Sequence, residues 1–170
     1  MPFRTSSAMA KLSPRTTLLI MGLACGASVG AALLAQHKFG MEPCPWCILQ
    51  RMIFMLLTVL CLLAAAVPPT LLRRALSALM LPLSLSGIAA ALWQHFVAAK
   101  SASCNLTLAD KIITFLGADT RWPEIFEVRA SCADAAASVL GVPFEFWSLA
   151  LFALVGIALL YSAVTPDRRA

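Results

Sequence analysis

Residues 42–51 read EPCPWCILQR, and two cysteines held apart by a Pro-Trp pair are the first residues whose type and spacing can do chemistry. Such a pair can close a small disulfide, ligate a metal or exchange electrons, and its surroundings decide which. Here it stands where an apolar, helix-like run begins. A thiol at a helix N-terminus feels the positive end of the backbone dipole, which favours thiolate; Cys47, nearer the first turn, gains more from this than Cys44. Pro45 lacks a backbone donor and suits the lead-in to a helix. Arg51 follows Cys47 by four residues, so it shares its helical face about one turn deeper. A cation in a spanning helix costs ~2.5–3.5 kcal/mol at the centre and less near an end, where it can snorkel. A structural disulfide has no use for that cation. A site passing electrons from Cys47 to a lipid-soluble carbonyl acceptor does, because guanidinium can bond the oxygen and stabilise the charge of reduction.

The elements that must position these residues follow from composition. The 170-residue chain is 61% hydrophobic and only 12% charged, with a mean hydropathy of +0.86, which describes a bilayer protein rather than a soluble globule. A spanning helix needs ~20 mostly apolar residues. Four stretches meet that length, at 16–35, 48–67, 75–97 and 144–163, leaving loops at 36–47 and 98–143. Their apolar residues run continuously instead of alternating, so they are helices and not barrel strands. The expectation is an all-α membrane protein: one integral membrane domain over 1–170, a four-transmembrane-helix bundle with a long loop between the last two helices. Within that loop LTLADKIITFLGAD places Leu108, Ile112, Phe115 and Leu116 on one face, as in a short amphipathic helix on the membrane surface, with Trp122 and Phe126 as further interfacial anchors.

Basic residues orient the bundle. Arg4, Lys11, Arg15, Arg73, Arg74, Arg168 and Arg169 fall on one side, whereas Lys38, Lys100, Lys111, Arg121 and Arg129 are spread through the longer loops of the other. Both termini are therefore expected in the cytoplasm and the cysteine loops outside. The net charge of +5 reports this topology and contact with anionic lipid, with no nucleic-acid partner. GLAC at 22–25 loosely matches a lipoprotein cleavage site, but the apolar run continues through Leu34 and cleavage would halve a good spanning helix.

The six cysteines then fall into two kinds. Cys25 and Cys61 lie mid-helix, where a thiol packs as a small apolar group. Cys44, Cys47, Cys104 and Cys132 lie outside the bilayer on one face, which in a bacterium is the oxidising periplasm. A four-cysteine zinc site and inert structural disulfides are the rivals of a redox centre. One paired motif plus two single cysteines is not the usual zinc spacing, and an oxidising face disfavours thiolate ligands. His95, in LWQHF near the outer end of the third helix, is placed to bond an acceptor's oxygen or carry a proton, and His37 is expected to be merely exposed.

PCPWCILQR, the later single cysteines Cys104 and Cys132, and LGVPFEFWSL at the start of the fourth helix together resemble the DsbB family of disulfide bond formation proteins over nearly the whole chain. The resemblance implies a multi-pass enzyme of the bacterial inner membrane, a quinone-dependent protein-disulfide oxidoreductase. It would reoxidise the periplasmic dithiol oxidase DsbA and pass the electrons to ubiquinone or another membrane quinone. It further implies catalytic roles for four cysteines: Cys44 and Cys47 as the quinone-proximal pair, Cys104 and Cys132 as the loop pair, with Cys104 the sulfur that engages DsbA. Arg51 and His95 would bind the quinone. Trp46 departs from the aliphatic residue expected between the paired cysteines. A Cys104–Cys132 bridge would close a loop of 28 residues instead of three, which costs about 2 kcal/mol more in chain entropy, or ~40 mV for a two-electron couple. That makes it easier to reduce, yet too weak an oxidant without a terminal acceptor. The rivals are a membrane oxidoreductase of the vitamin K epoxide reductase type, whose paired cysteines would open a late helix, and a non-enzymatic zinc- or disulfide-stabilised scaffold.

Overall fold

The computed structural model describes residues 12–100, 107–135 and 137–165. Cys104 lies outside the described residues, as do Arg4, Lys11, Arg168 and Arg169. In chain order the elements are α1 (Pro14–Phe39), α2 (Pro45–Ala66), α3 (Thr70–Phe96), the short loop helices α4 (Leu108–Leu116), α5 (Ala118–Arg121) and α6 (Pro123–Phe126), a two-residue hairpin β1 (Ser138–Val139) and β2 (Val142–Pro143), and α7 (Phe144–Val164). The helices α1, α2, α3 and α7 are each long and apolar enough to cross a membrane.

The helix ends are set by capping groups, and so differ from the limits that hydropathy gives. Ser13 opens α1 by accepting from the Thr16 amide at 3.2 Å, with Pro14 in the first position. The helix runs past residue 35 until Gly40, whose positive φ of 63° suits its place as the left-handed cap. Cys44 caps α2, so that helix begins at Pro45 and Cys47 lies in its first turn. A reciprocal pair, Thr107 and Asp110, opens α4.

The four long helices pack in a ring, α1 on α2, α2 on α3, α3 on α7 and α7 back on α1. Between apolar helices in lipid, close packing and interhelical hydrogen bonds must supply the attraction. Phe54 of α2 stacks on Phe152 of α7 with ring centroids 3.9 Å apart, Gly87 of α3 gives the Phe152 ring room, and Ser84 Oγ donates to the Phe152 carbonyl at 2.7 Å. Cys25 and Cys61 are fully buried in this core with Leu18 and Leu57, as packing residues. At one end Arg15 and Arg73 reach the Val67 carbonyl at the close of α2, and Arg74 reaches the Ala163 carbonyl near the close of α7, cations set against negative helix ends.

The long loop covers the opposite end. Ala109 and Ile113 turn α4 inward, Ile113 packing with Ile48 of α2, Ala118 and Phe126. Leu108, Phe115 and Leu116 stay exposed on the outward side. Ile112, the fourth residue of the expected apolar face, is half-buried, and Ala109 and Ile113 lie outside that face. Phe126, expected as an interfacial anchor, is buried in the loop's own core, because it closes over Ile48 and Ile113; Trp122 is exposed.

Candidate active site: clustered sulfurs beside an apolar cavity

The N-terminus of α2 organises the sulfurs. Cys44 Sγ accepts from the Cys47 amide at 3.3 Å, and the two sulfurs stand 2.8 Å apart. Cys132 arrives from the other loop. The Arg129 and Ala130 amides donate to the Pro43 carbonyl at 3.1 and 3.3 Å, which lays that segment alongside the start of α2. Ser131 and Asp134 then close a turn around Cys132, the Asp134 amide donating to Ser131 Oγ at 3.2 Å. Cys132 is thereby buried in one packed cluster with Cys44 and Trp46. Three of the four cysteines assigned to the outer face thus meet at one helix end.

The protons divide unequally. The Cys44 thiol is held well above the ordinary range, first by its hydrogen bond to Cys132, then by that to Cys47, then by burial. Cys132 is pulled below it, chiefly by the hydrogen bond from Cys44, which outweighs its own burial, with help from the Trp46 amide. The cluster therefore pairs a proton-holding Cys44 with a thiolate-leaning Cys132.

Cys47 faces the other way. With Arg51, Gln94 and Glu145 it lines two adjoining cavities of about 180 and about 340 Å³, the first walled largely by apolar side chains including Val29, Phe54 and Leu151. Arg51 is only 5% exposed, so it does not snorkel to water. Its Nη1 donates to Gln36 Oε1 of α1 at 3.0 Å and to the Ile125 carbonyl of α6. Its Nε is buried with no hydrogen-bond partner among the described residues.

His95 is not among the residues lining either cavity. Its Nδ1 stands 2.7 Å from Glu145 Oε1, and the ring packs edge-on to Phe96 and against Phe146. Glu145, which does line both, was missed from sequence, as were Gln36, Gln50 and Gln94. Gln50 Nε2 donates to Gln94 Oε1 at 2.6 Å, and Gln94 Nε2 donates to Cys47 Sγ at 3.2 Å. Their signal is an amide inside an apolar helix, a group that must find a partner. His37 is exposed, as expected, beside Glu124. Among the described residues no three His, Cys, Asp or Glu side chains are grouped as metal ligands would be.

Comparison with known proteins decides the family. The family model for disulfide bond formation protein DsbB matches residues 14–162. The chain belongs to the DsbB family. It is 33% identical over 147 residues to disulfide bond formation protein B 1 of Pseudomonas putida, covering 84% of this chain and 86% of that protein. It is 34% identical over 154 residues to disulfide bond formation protein B of Ralstonia nicotianae, covering 89% and 94%. A third relative, disulfide bond formation protein B 1 of Pseudomonas aeruginosa, is 33% identical over 144 residues. DsbB membership and four helices able to span a bilayer make the chain a multi-pass membrane disulfide oxidoreductase.

Proposed function

We propose that this DsbB-family chain is an inner-membrane thiol oxidase that reoxidises a DsbA-like periplasmic dithiol oxidase and passes the electrons to a membrane quinone. The observation that carries the reading is the double position of Cys47. It is one sulfur of the Cys44–Cys47 pair and at the same time part of the wall of an apolar cavity that holds a buried arginine. Both termini then face the cytoplasm and the cysteine loops the periplasm, with the outward face of α4 against the lipid surface.

A reduced partner attacks a Cys104–Cys132 disulfide at Cys104, so that the partner is oxidised and the loop pair becomes two thiols. Exchange onto the inner pair needs one sulfur of each pair to meet, and Cys132 is buried in the same cluster as Cys44. A thiolate must attack at each step, and the surroundings of Cys132 favour one. The loop pair returns to a disulfide as Cys44 and Cys47 become the dithiol. Quinone, when bound, supplies the acceptor for that dithiol's two electrons and two protons. The residues present suit it: apolar walls for the ring and tail, and for a carbonyl oxygen the Arg51 Nε, unpartnered among the described residues. His95 acts through Glu145, holding a carboxylate at the cavity wall.

The direct test mixes purified protein with a reduced DsbA-type partner and a soluble quinone and follows loss of quinone absorbance. Turnover requiring both substrates is expected. No quinone consumption by the wild-type chain sinks the reading.

A further inference from the structure

At the cavity wall Cys47 can act as a nucleophile only after it gives up its proton. Arg51 is the cation in reach by sequence, yet its Nη1 is committed to Gln36 and the Ile125 carbonyl. The side-chain amide donor on Cys47 Sγ is Gln94, at 3.2 Å. An amide can turn either end toward a neighbour, and of the two only its N–H can donate to a thiolate. Gln50 removes that ambiguity, because its Nε2 occupies Gln94 Oε1 at 2.6 Å and leaves the Gln94 N–H facing the sulfur. Gln94 and Gln50 are 6% and 3% exposed and come from two spanning helices, α3 and α2. Two buried amides in such helices are costly unless their polar ends are used, and the Gln50–Gln94–Cys47 chain uses three of the four in series.

Resting on the assignment of Cys47 as the acceptor-facing sulfur, we propose that Gln94 stabilises the Cys47 thiolate and aims it at the cavity, with Gln50 as the positioning residue that fixes the direction of the Gln94 amide. The step is a deprotonation alone. Cys47 gives its proton to water, keeps the electron pair on sulfur, and no electron leaves the protein. A neutral donor does this without adding a charge to an apolar cavity. Among the described residues, the other titratable groups near Cys47 are Cys44 at the cap of α2, Cys132 behind it in the loop, Arg51 on α2, and Glu145 of α7 with its partner His95 of α3. Glu42 and Asp134 stand at the rim of the larger cavity.

The test uses the full chain in detergent with Cys44→Ala, so that Cys47 cannot be lost to its own disulfide. Iodoacetamide labelling of the Cys47 peptide is followed by mass spectrometry as a function of pH. Gln94→Met is expected to raise the labelling midpoint by about one pH unit or more, roughly a tenfold loss of thiolate at neutral pH, as removal of a hydrogen bond to a charged acceptor should. Gln50→Leu should raise it by a smaller amount, since the donor remains but loses its orientation. An unshifted midpoint in a Gln94→Met protein that melts like its parent overturns the proposal and leaves the amides as a strut between helices. Should Gln94→Met fail to fold, Gln50→Leu decides, and an unshifted midpoint there overturns it equally. Neither quinone nor partner oxidase enters this measurement, so its failure is distinguishable from failure of quinone reduction.

Discussion

Replacing Arg51 by Met keeps length and apolar bulk in α2 while removing the cation. Two effects are then separable. The first is structural: the guanidinium ties α2 to α1 through Gln36 and to the loop through the Ile125 carbonyl. The second concerns the acceptor, because Arg51 lines both cavities and its Nε has no hydrogen-bond partner among the described residues. A hydrogen bond from a charged donor is worth about 1.5–3 kcal/mol, so losing one to a bound carbonyl weakens quinone binding roughly 10- to 150-fold. The assay is the apparent KM for a soluble quinone at saturating reduced partner, with the melting temperature in detergent measured alongside. Arg51→Lys, which keeps the charge but not the planar fork, should fall between wild type and Arg51→Met. Gln36→Leu removes one anchor and no charge, so it should lower the melting temperature while moving the quinone KM less than Arg51→Met does. A quinone dependence unchanged in Arg51→Met would show that the arginine only braces the helices, and the cavity would lose its claim to the acceptor.

Three further outcomes follow from the same geometry. Cys104→Ser should abolish exchange with the periplasmic partner while Cys44 and Cys47 remain oxidisable by quinone; loss of both activities would contradict separate roles for the two pairs. Because Cys44 holds the Cys132 midpoint down, the Cys132 thiolate persists as pH falls below the ordinary thiol range; Cys44→Ala should therefore move Cys132 labelling to higher pH, and an unchanged profile would remove Cys44 as the cause. Gly87→Ala should cost about 1–3 kcal/mol, since its Cβ would overlap the Phe152 ring, and an unaltered melting temperature would refute the tight α3–α7 approach.

What the sequence made legible was what lipid and spacing impose. Four apolar runs of spanning length have no other home than a bilayer, and EPCPWCILQR announces both a dithiol and a cation that must be justified. The helix limits were less legible, because Gly40 ends α1 through backbone geometry and Cys44 opens α2 through a sulfur cap, neither of which hydropathy registers. Partners across helices were not legible at all. LWQHF drew attention to His95, yet it is the neighbouring Gln94 that meets the cysteine, while His95 turns to Glu145 of α7, and nothing local in α3 says which side chain faces inward. The approach of Cys132 to Cys44 was equally hidden, resting on two backbone bonds from Arg129 and Ala130 to the carbonyl of Pro43.

Those two bonds bear on the division of work proposed for the cysteines. The Cys44–Cys47 pair is held by the first turn of a spanning helix, which is braced by Arg51 on Gln36 and by Gln50 on Gln94. Cys132 instead is held by a short segment whose tie to α2 runs through Pro43 and through the sulfur contacts themselves. A shuttle between a bulky protein partner and a cavity between helices needs one pair that stays put and one that can change neighbours. Rigid spanning helices and a lightly tied loop meet those opposite demands, so the sulfur expected to move is Cys132, and the one expected to stay at the cavity wall is Cys47.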